Sequence, residues 1–291
     1  MARRIRRLGA VVVGVVVVAL ASSAPAGIVG YWRLDEAGAS QGATITTAVS
    51  EVNPATLNGT GQNGPKYSTS VPGVQIYDPI AGALHDNNFS LDGTGGNARI
   101  SVPTTSGLLD SDTFTVECFL RIAEKPSSYD SFARRRSALG WQIDFTGGSS
   151  SNFGKIRSRW DTPQVLPDPP NEFNQVVTGN YVFVDADGDG VNDDTSWHHV
   201  ALTWDGTNYT IFTDYVQGQS KALVGTFAHQ ATPLYFGKLH SLGYELYVDE
   251  VRYSDSVLTP DQFLQAVPEP ATLGLLALGG LSALVRRRRS R

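Results

Sequence analysis

The sequence predicts an all-β domain built as a two-sheet antiparallel sandwich. Aromatic and β-branched residues recur in short runs separated by turns that contain glycine or proline, and helical periodicity is almost absent. The clearest run, residues 197–216, has two strand-like halves about Asp205-Gly206, which predicts a β-hairpin. Both faces of its first half carry bulky side chains. We therefore expect this strand inside a sheet, covered on both sides.

Length and charge limit the function classes. The chain has 291 residues, of which 41% are hydrophobic, enough for one sizeable core. The net charge is −5, but nine of the 23 basic residues lie at the two ends, and Glu269 is the one acidic residue there. Between residues 27 and 267, 14 basic residues therefore oppose 27 acidic ones. This acidity argues against nucleic-acid binding and favours cations over phosphates as partners.

The first 26 residues predict export. Residues 3–7 are basic, residues 8–21 are apolar, and Ala24-Pro25-Ala26 supplies an A-x-A cleavage site. This order is typical of a secretory signal peptide, residues 1–26. The alternative, a retained membrane anchor, needs a longer apolar span.

A second candidate targeting segment lies at the C-terminal end of the sequence. Pro268, Glu269 and Pro270 are followed by apolar residues 271–285 and by four arginines, residues 286–289. The order resembles the PEP-CTERM sorting signal of Gram-negative bacteria over residues 267–291. The resemblance implies handling by an exosortase, removal of the tail, a transient inner-membrane anchor, and a final place at the cell surface, outer envelope or exopolysaccharide (biofilm) matrix. The alternative is an ordinary transmembrane tail anchor, short for a bilayer, with its arginines on the cytoplasmic side.

The middle of the chain, residues 27–266, contains further strand-like runs. Two stretches look like insertions, residues 125–137 and 161–174, and a short helix capped by Thr259 is expected near the end. Residues 59–64 match G-x-G-x-x-G, but no βαβ unit surrounds them, so they are interpreted as a glycine loop. Cys118, the only cysteine, is expected to be buried within a strand. The runs are residues 28–34, 98–102, 113–122, 139–145, 154–160, 175–184, 221–227, 233–238 and 244–253.

Several of these runs together resemble the laminin-G-like, concanavalin A-like jelly roll. The motifs that carry the resemblance are Leu91-Asp92-Gly93, Trp197-His198-His199-Val200-Ala201 and Asp249-Glu250-Val251-Arg252-Tyr253. Asp214-Tyr215 departs from it, because Asp-Gly is usual after the central hairpin strand. The resemblance implies a jelly-roll fold over residues 27–266, whereas the ligand does not transfer with the fold.

The sequence predicts no catalytic residues. Glycosidases of this fold carry Glu-x-Asp-x-x-Glu on one strand, and residues 245–250 have a different spacing. Asp249 and Glu250 should face opposite sides of a strand, as should His198 and His199. We predict a carbohydrate- or matrix-binding domain. A polysaccharide hydrolase or lyase and a structural matrix protein without a specific ligand remain alternatives.

Two candidate binding sites follow from the residue pattern. Trp160, with Arg157 and Arg159 beside it, is the best candidate for a surface contact to sugar; the alternative is ordinary packing. Residues 185–193 match the spacing of a Ca²⁺ loop, in which four carboxylates and one backbone carbonyl would bind the ion. Ser196 replaces the bidentate Glu, so the loop resembles those of thrombospondin type 3 repeats; the alternative is a solvated acidic turn. Its predicted ligands are Asp185, Asp187, Asp189, Val191 and Asp193.

Overall fold

The fold was analysed in a computed structural model. It describes residues 27–122, 130–137, 139–146, 154–162, 175–182, 196–225, 227, 229, 231–239 and 245–267. The signal peptide, the Ca²⁺ loop and the sorting residues Pro268, Glu269 and Pro270 lie outside these ranges.

Strands make up nearly all regular structure in the described residues. The first half of the chain contains β1 (Ile28–Trp32), β2 (Thr47–Ala48), α1 (Pro54–Leu57), β3 (Gly59–Gln62), β4 (Lys66–Ser68), β5 (Gln75–Asp78), β6 (Ala83–Asp86), β7 (Ser90–Asp92), β8 (Arg99–Val102), β9 (Phe114–Ile122), β10 (Asp130–Arg136) and β11 (Gly140–Phe145). The second half contains β12 (Lys155–Asp161), β13 (Gln175–Val182), β14 (His198–Trp204), β15 (Asn208–Thr213), β16 (Val216–Ala222), β17 (Leu234–Gly237), β18 (Leu246–Ser254), a 3₁₀ turn (Pro260–Gln262) and β19 (Gln265–Val267).

Two eight-stranded antiparallel sheets form the sandwich in the described part of the chain. Sheet A has the order β16-β15-β14-β9-β18-β7-β4, with β1 also paired to β18. Sheet B has the order β13-β12-β11-β10-β17-β8-β3-β2. A small third sheet, β19-β5-β6, contributes Ile76 to a buried cluster with Tyr31 of β1 and Phe119 of β9. The predicted all-β, two-sheet jelly-roll sandwich is confirmed.

The core lies between sheets A and B. On β9, alternate residues from Phe114 to Ile122 belong to one buried cluster, because successive side chains of a strand point to opposite faces. Cys118 is among them, and burial raises the pKa of its thiol. β14 lies between β15 and β9 and is buried along its whole length, as its two bulky faces predicted. Apolar burial of this kind is the main stabilising contribution to such a domain.

The turn after β15 explains the departure from the family pattern. Asp214 and Tyr215 have φ angles of 50° and 66°, the left-handed conformations that a two-residue type I′ hairpin turn requires. The turn leads into β16, which ends at Ala222, so the predicted strand at residues 221–227 is wrong at 223–225 and 227. β16 carries exposed polar side chains and has no apolar periodicity from which it could be recognised.

Four further expectations need correction. The supposed insertion at residues 125–137 contains β10, whose three consecutive arginines are untypical of a strand pattern. The supposed glycine loop begins as β3 and turns only at Asn63 and Gly64. The helix at Thr259 is a single 3₁₀ turn, in which the Gln262 side chain accepts a hydrogen bond from the Thr259 N–H at 3.0 Å. Asp249 and Glu250 lie at a β-bulge, where Glu250 has φ 52°, and the expected alternation fails.

Candidate functional site

Trp160 is not at the surface. It is 1% exposed and packs against Trp204, Tyr209 and Phe227 at ring-centroid distances of 5.2, 5.0 and 5.2 Å. Its indole N–H donates to Ser158 Oγ at 2.9 Å. Of the two alternatives for Trp160, ordinary packing is the one the structure shows, because Trp160 occupies the inward face of β12.

Arg157 and Arg159 occupy the opposite, outward face of β12. Arg157 forms an ion pair with Asp144, and Arg159 Nε lies 3.3 Å from Asp161 Oδ1. Burial raises the pKa of Asp144, although the Arg157 charge and the hydrogen bonds from Arg157 and Gln142 lower it. The structure thus separates these arginines from the Trp160 ring.

A cavity of about 510 Å³ lies at one end of the sandwich. It is lined by Asp112, Trp204, Gly206, Thr207, Leu223, Gly225, Phe227 and His229. These residues come from the segment before β9, from the tip of the β14–β15 hairpin and from the segment after β16. A volume of this size suits a small organic ligand, since ligand sites in proteins typically measure roughly 300–1,000 Å³.

The hairpin tip forms a fixed wall of this end cavity. Asp205 Oδ1 accepts hydrogen bonds from the N–H groups of Thr207 (2.7 Å) and Asn208 (2.5 Å). Gly206 has φ 89°, a conformation that side chains disfavour. Slight burial raises the pKa of Asp205, but its hydrogen bonds lower the pKa by more, so the net shift is downward and favours the charged carboxylate.

The aromatic wall is built in two layers. Trp204 and Phe227 line the cavity, 5.7 Å apart between ring centroids, and Trp160 packs behind both. His229 stands edge-on to Phe227 at 5.0 Å, and its Nδ1 lies 3.8 Å from Asp110 Oδ1. Because Trp204 is only 4% exposed, Phe227 presents most of the accessible ring surface, next to a carboxylate, a hydroxyl and an imidazole.

A second cavity, of about 380 Å³, lies beside a buried acidic cluster. It is lined by Arg33, Leu34, Asp35, Glu36, Ala37, Val49 and Glu51. Glu250 Oε1 lies 3.9 Å from Arg33 Nε and 3.4 Å from His85 Nε2. Glu250 Oε2 accepts a hydrogen bond from the Tyr31 hydroxyl.

Asp249 and Glu250 contact the same segment instead of opposite sides of the sheet. Asp249 accepts a hydrogen bond from Asn87 at 2.9 Å, while Glu250 contacts His85, two residues earlier. Burial raises the pKa of both carboxyls, and the Glu250 charge raises that of Asp249 further. Both side chains are fully buried, and their contacts join β18 to the segment from His85 to Asn87.

The two adjacent histidines have separate polar partners. His198 Nδ1 lies 2.7 Å from Asp214, and His199 Nε2 lies 2.7 Å from Glu117. Both are buried. Within the described residues, no group of three His, Cys, Asp or Glu side chains is placed to bind a metal. Nor does any helix in those ranges have the length and apolar character needed to span a membrane.

The sequence interpretation missed the end cavity. Its one local signal was the Asp205-Gly206 turn. The segment after β16 was interpreted as a strand, so Phe227 was expected to lie within a sheet.

Comparison with known families gives two matches. Residues 93–263 match the family model described as the concanavalin A-like lectin/glucanases superfamily, and residues 266–289 match the PEP-CTERM protein-sorting motif. The comparison with curated proteins found no match.

Three similar solved structures show the same fold at low identity. They are the binding domain of Paraclostridial Mosquitocidal Protein 1 (12% identity, TM-score 0.55), that of botulinum neurotoxin serotype D (9%, 0.55), and a structure of botulinum neurotoxin type C, which interacts with two ganglioside molecules (10%, 0.52). The alignments cover 81%, 81% and 76% of this chain. They cover 50%, 50% and 48% of the other chains, so this chain spans about half their length.

Proposed function

Because the chain belongs to the concanavalin A-like lectin/glucanases superfamily, we propose that it is an exported carbohydrate-binding protein whose end cavity holds the sugar. The observation that carries the proposal is the pairing of Trp204 and Phe227 with Asp112 and Thr207 in one cavity. A sugar ring has an apolar face, formed by its C–H groups, and a rim of hydroxyls. Aromatic rings suit the face, and carboxylate and hydroxyl oxygens suit the rim.

The rigidity of the walls supports this proposal. Trp160 fixes both aromatic rings from behind, and Asp205 fixes the hairpin tip by two short hydrogen bonds. A site formed in advance loses less conformational entropy when the ligand binds.

The sorting motif supports a place of action outside the cytoplasm. Residues 266–289 match the PEP-CTERM motif, which implies an exported, envelope-directed protein processed by an exosortase. The ligand we propose is accordingly an extracellular or cell-surface polysaccharide, and the domain would hold the protein to that matrix after the tail is removed.

The test is binding of the purified protein to a panel of neutral oligosaccharides and polysaccharides, measured by titration calorimetry and affinity electrophoresis. Phe227→Ala and Asp112→Asn should each weaken binding about tenfold, which corresponds to about 1.4 kcal/mol. Tyr77→Ala is the matched aromatic control, since Tyr77 is 37% exposed on the small sheet and does not line the cavity. Equal affinity of Phe227→Ala and Tyr77→Ala would refute the assignment of the cavity.

The same preparations distinguish the alternatives. Release of new reducing ends from a polysaccharide would indicate a hydrolase. Release of unsaturated sugar products would indicate a lyase. Neither retention nor turnover on any polysaccharide would indicate a structural matrix protein without a specific ligand.

A further inference from the structure

The outward face of sheet B carries a row of polar side chains that shares no residue with the end cavity. Strand pairing sets Gln62 beside Arg99, Tyr235 beside Arg134, and Arg134 beside Gln142. Arg159 continues the row on β12, opposite Gln142. The row crosses the sheet from β3 to β12, and from β8 to β12 it spans roughly 20 Å, since neighbouring strands lie about 4.8 Å apart.

Two arginines of this row surround one tyrosine. The Arg99 and Arg134 guanidinium carbons lie 4.9 and 5.5 Å from the centroid of the Tyr235 ring. A cation over an aromatic face is attracted by the ring quadrupole, so Tyr235 fixes both guanidinium groups. Their N–H edges remain available for hydrogen bonds to a ligand.

Neither of these arginines has a carboxylate partner within the described ranges. Arg99 donates from Nε to the neutral amide of Gln62 at 3.0 Å. Arg134 Nε is buried and has no hydrogen-bond partner among the described residues. Burial lowers the pKa of Arg134, and the like charges of Arg99 and Arg136 also lower it, whereas Tyr235 and the more distant Asp130 carboxylate raise it; the net shift is downward, and the arginine stays charged at neutral pH. An incoming anion would relieve this repulsion.

The remaining arginines of this face are paired with carboxylates and are mostly buried. Arg136, Arg157 and Arg159 form ion pairs with Asp161 or Asp144, and their side chains are 19%, 15% and 24% exposed. A flat bilayer engages protruding cations, whereas a single polymer chain can reach recessed ones. The row is long and narrow, which also fits a chain.

We propose that the part of the row formed by Gln62, Arg99, Tyr235 and Arg134 binds a carboxylate-bearing polysaccharide. The two planar guanidinium groups match carboxylates, with which arginine forms paired, charge-assisted hydrogen bonds. The Gln62 amide accepts from Arg99 through its oxygen, and its NH₂ group can donate to a sugar hydroxyl at that end, whereas the Gln142 amide is buried and bonds Arg136 and Asp144. The ligand class is therefore an acidic, uronate-type polymer, in addition to any neutral sugar in the end cavity.

The experiment compares polygalacturonate with its fully methyl-esterified form, which keeps the backbone but has no charge. Affinity electrophoresis at low and at physiological salt measures binding of the wild type, Arg99→Gln, Arg134→Gln and the double variant. Each single substitution should weaken binding to polygalacturonate about tenfold. The esterified polymer should not bind at this face, and salt should weaken the wild type most.

The matched control is Arg121→Gln. Arg121 stacks over Tyr247 at 5.2 Å on the other sheet, so the substitution removes an arginine–tyrosine pair outside the row. It should leave the affinity for polygalacturonate unchanged. Melting temperatures of all variants verify that they fold.

Three results would overturn the proposal. They are unchanged affinity of the double variant, equal binding of charged and esterified polymer by the wild type, and no wild-type binding to polygalacturonate. Cosedimentation with phosphatidylglycerol vesicles but not with polygalacturonate would assign the arginines to anionic lipid instead. Because the cavity variants are measured separately, failure here leaves the proposed neutral-sugar site standing.

Discussion

Arg252 is fully buried on β18 and joins four parts of the chain. Its guanidinium donates to Glu117 of β9 (2.7 Å), to Asp78 of β5 (2.7 Å) and to the Gln262 carbonyl in the 3₁₀ turn (2.7 Å). Burial raises the pKa of Glu117, but the charges of Arg252 and His199 and two hydrogen bonds lower it by more, so the net shift is downward. The arginine thus keeps at least one fully buried carboxylate ionised.

Replacing this arginine by methionine keeps much of the volume and removes the charge. Glu117 and Asp78 would then lie in the interior without a cation. Breaking a buried ion pair on one side costs about 3–5 kcal/mol, since an uncompensated charge remains out of water. We expect Arg252→Met to lower the free energy of unfolding by that amount, a large fraction of the roughly 5–15 kcal/mol of an ordinary domain.

Urea unfolding followed by tryptophan fluorescence measures this loss, with Arg121→Met as the control on the same sheet. Glu117→Gln provides a double-mutant cycle. With both charges removed, the double variant should lose less stability than the sum of the two single variants. A cost of Arg252→Met below about 1 kcal/mol, or additivity within about 0.5 kcal/mol, would refute this reasoning.

Three further outcomes are expected. Since burial raises the pKa of Asp249, the folded state binds its proton more tightly, and the free energy of unfolding falls as pH rises above the ordinary aspartate pKa. The fall amounts to about 1.4 kcal/mol for each unit by which the pKa is raised, and Asp249→Asn should abolish it. Urea midpoints of wild type and variant that change in parallel from pH 5 to 8 would contradict this. If residues 185–193 bind Ca²⁺ with a Kd of about 0.1 mM, about 1 mM Ca²⁺ adds roughly 1.4 kcal/mol to the free energy of unfolding and raises Tm by a few degrees. The double variant Asp187→Ala, Asp189→Ala should abolish this rise. Equal wild-type melting with Ca²⁺ and with chelator would argue for a solvated turn. Deleting residues 267–291 should release the protein into the medium or periplasm, and identical fractionation of both forms would refute the sorting interpretation.

The fold was largely predictable because its central strands are buried on both faces. β9 and β14 carry apolar or aromatic residues in alternation, and that local pattern determines their conformation. β16 was missed because an exposed strand of polar residues has no such alternation, and its turn uses Tyr215 where glycine or asparagine is usual. β10 was missed because its arginines find their partners far along the chain, such as Asp110 and Asp161.

The choice between a surface contact and ordinary packing for Trp160 could have been made from the sequence. Arg157 and Arg159 flank it at alternate positions, and in a strand this alternation places the tryptophan on the face opposite the arginines. The charged neighbours were interpreted as a sign of exposure for the whole stretch. The end cavity, by contrast, unites Asp112, Thr207 and Phe227 from separate segments, and only the strand order brings them together.

Net charge predicts partners only when charge is spread evenly, and here it is not. The acidic excess between residues 27 and 267 argued for cationic ligands. Several of the carboxylates are buried, however: Glu117 is compensated by Arg252, and the pKa of Asp249 is raised by its burial. Buried or neutralised carboxylates contribute little to the field outside the protein. Arg99 and Arg134 are partly exposed and have no carboxylate partner within the described residues, so their charge does reach solvent. An acidic polymer can therefore bind one face of an acidic domain, because the local arrangement of compensated and uncompensated charges decides the partner.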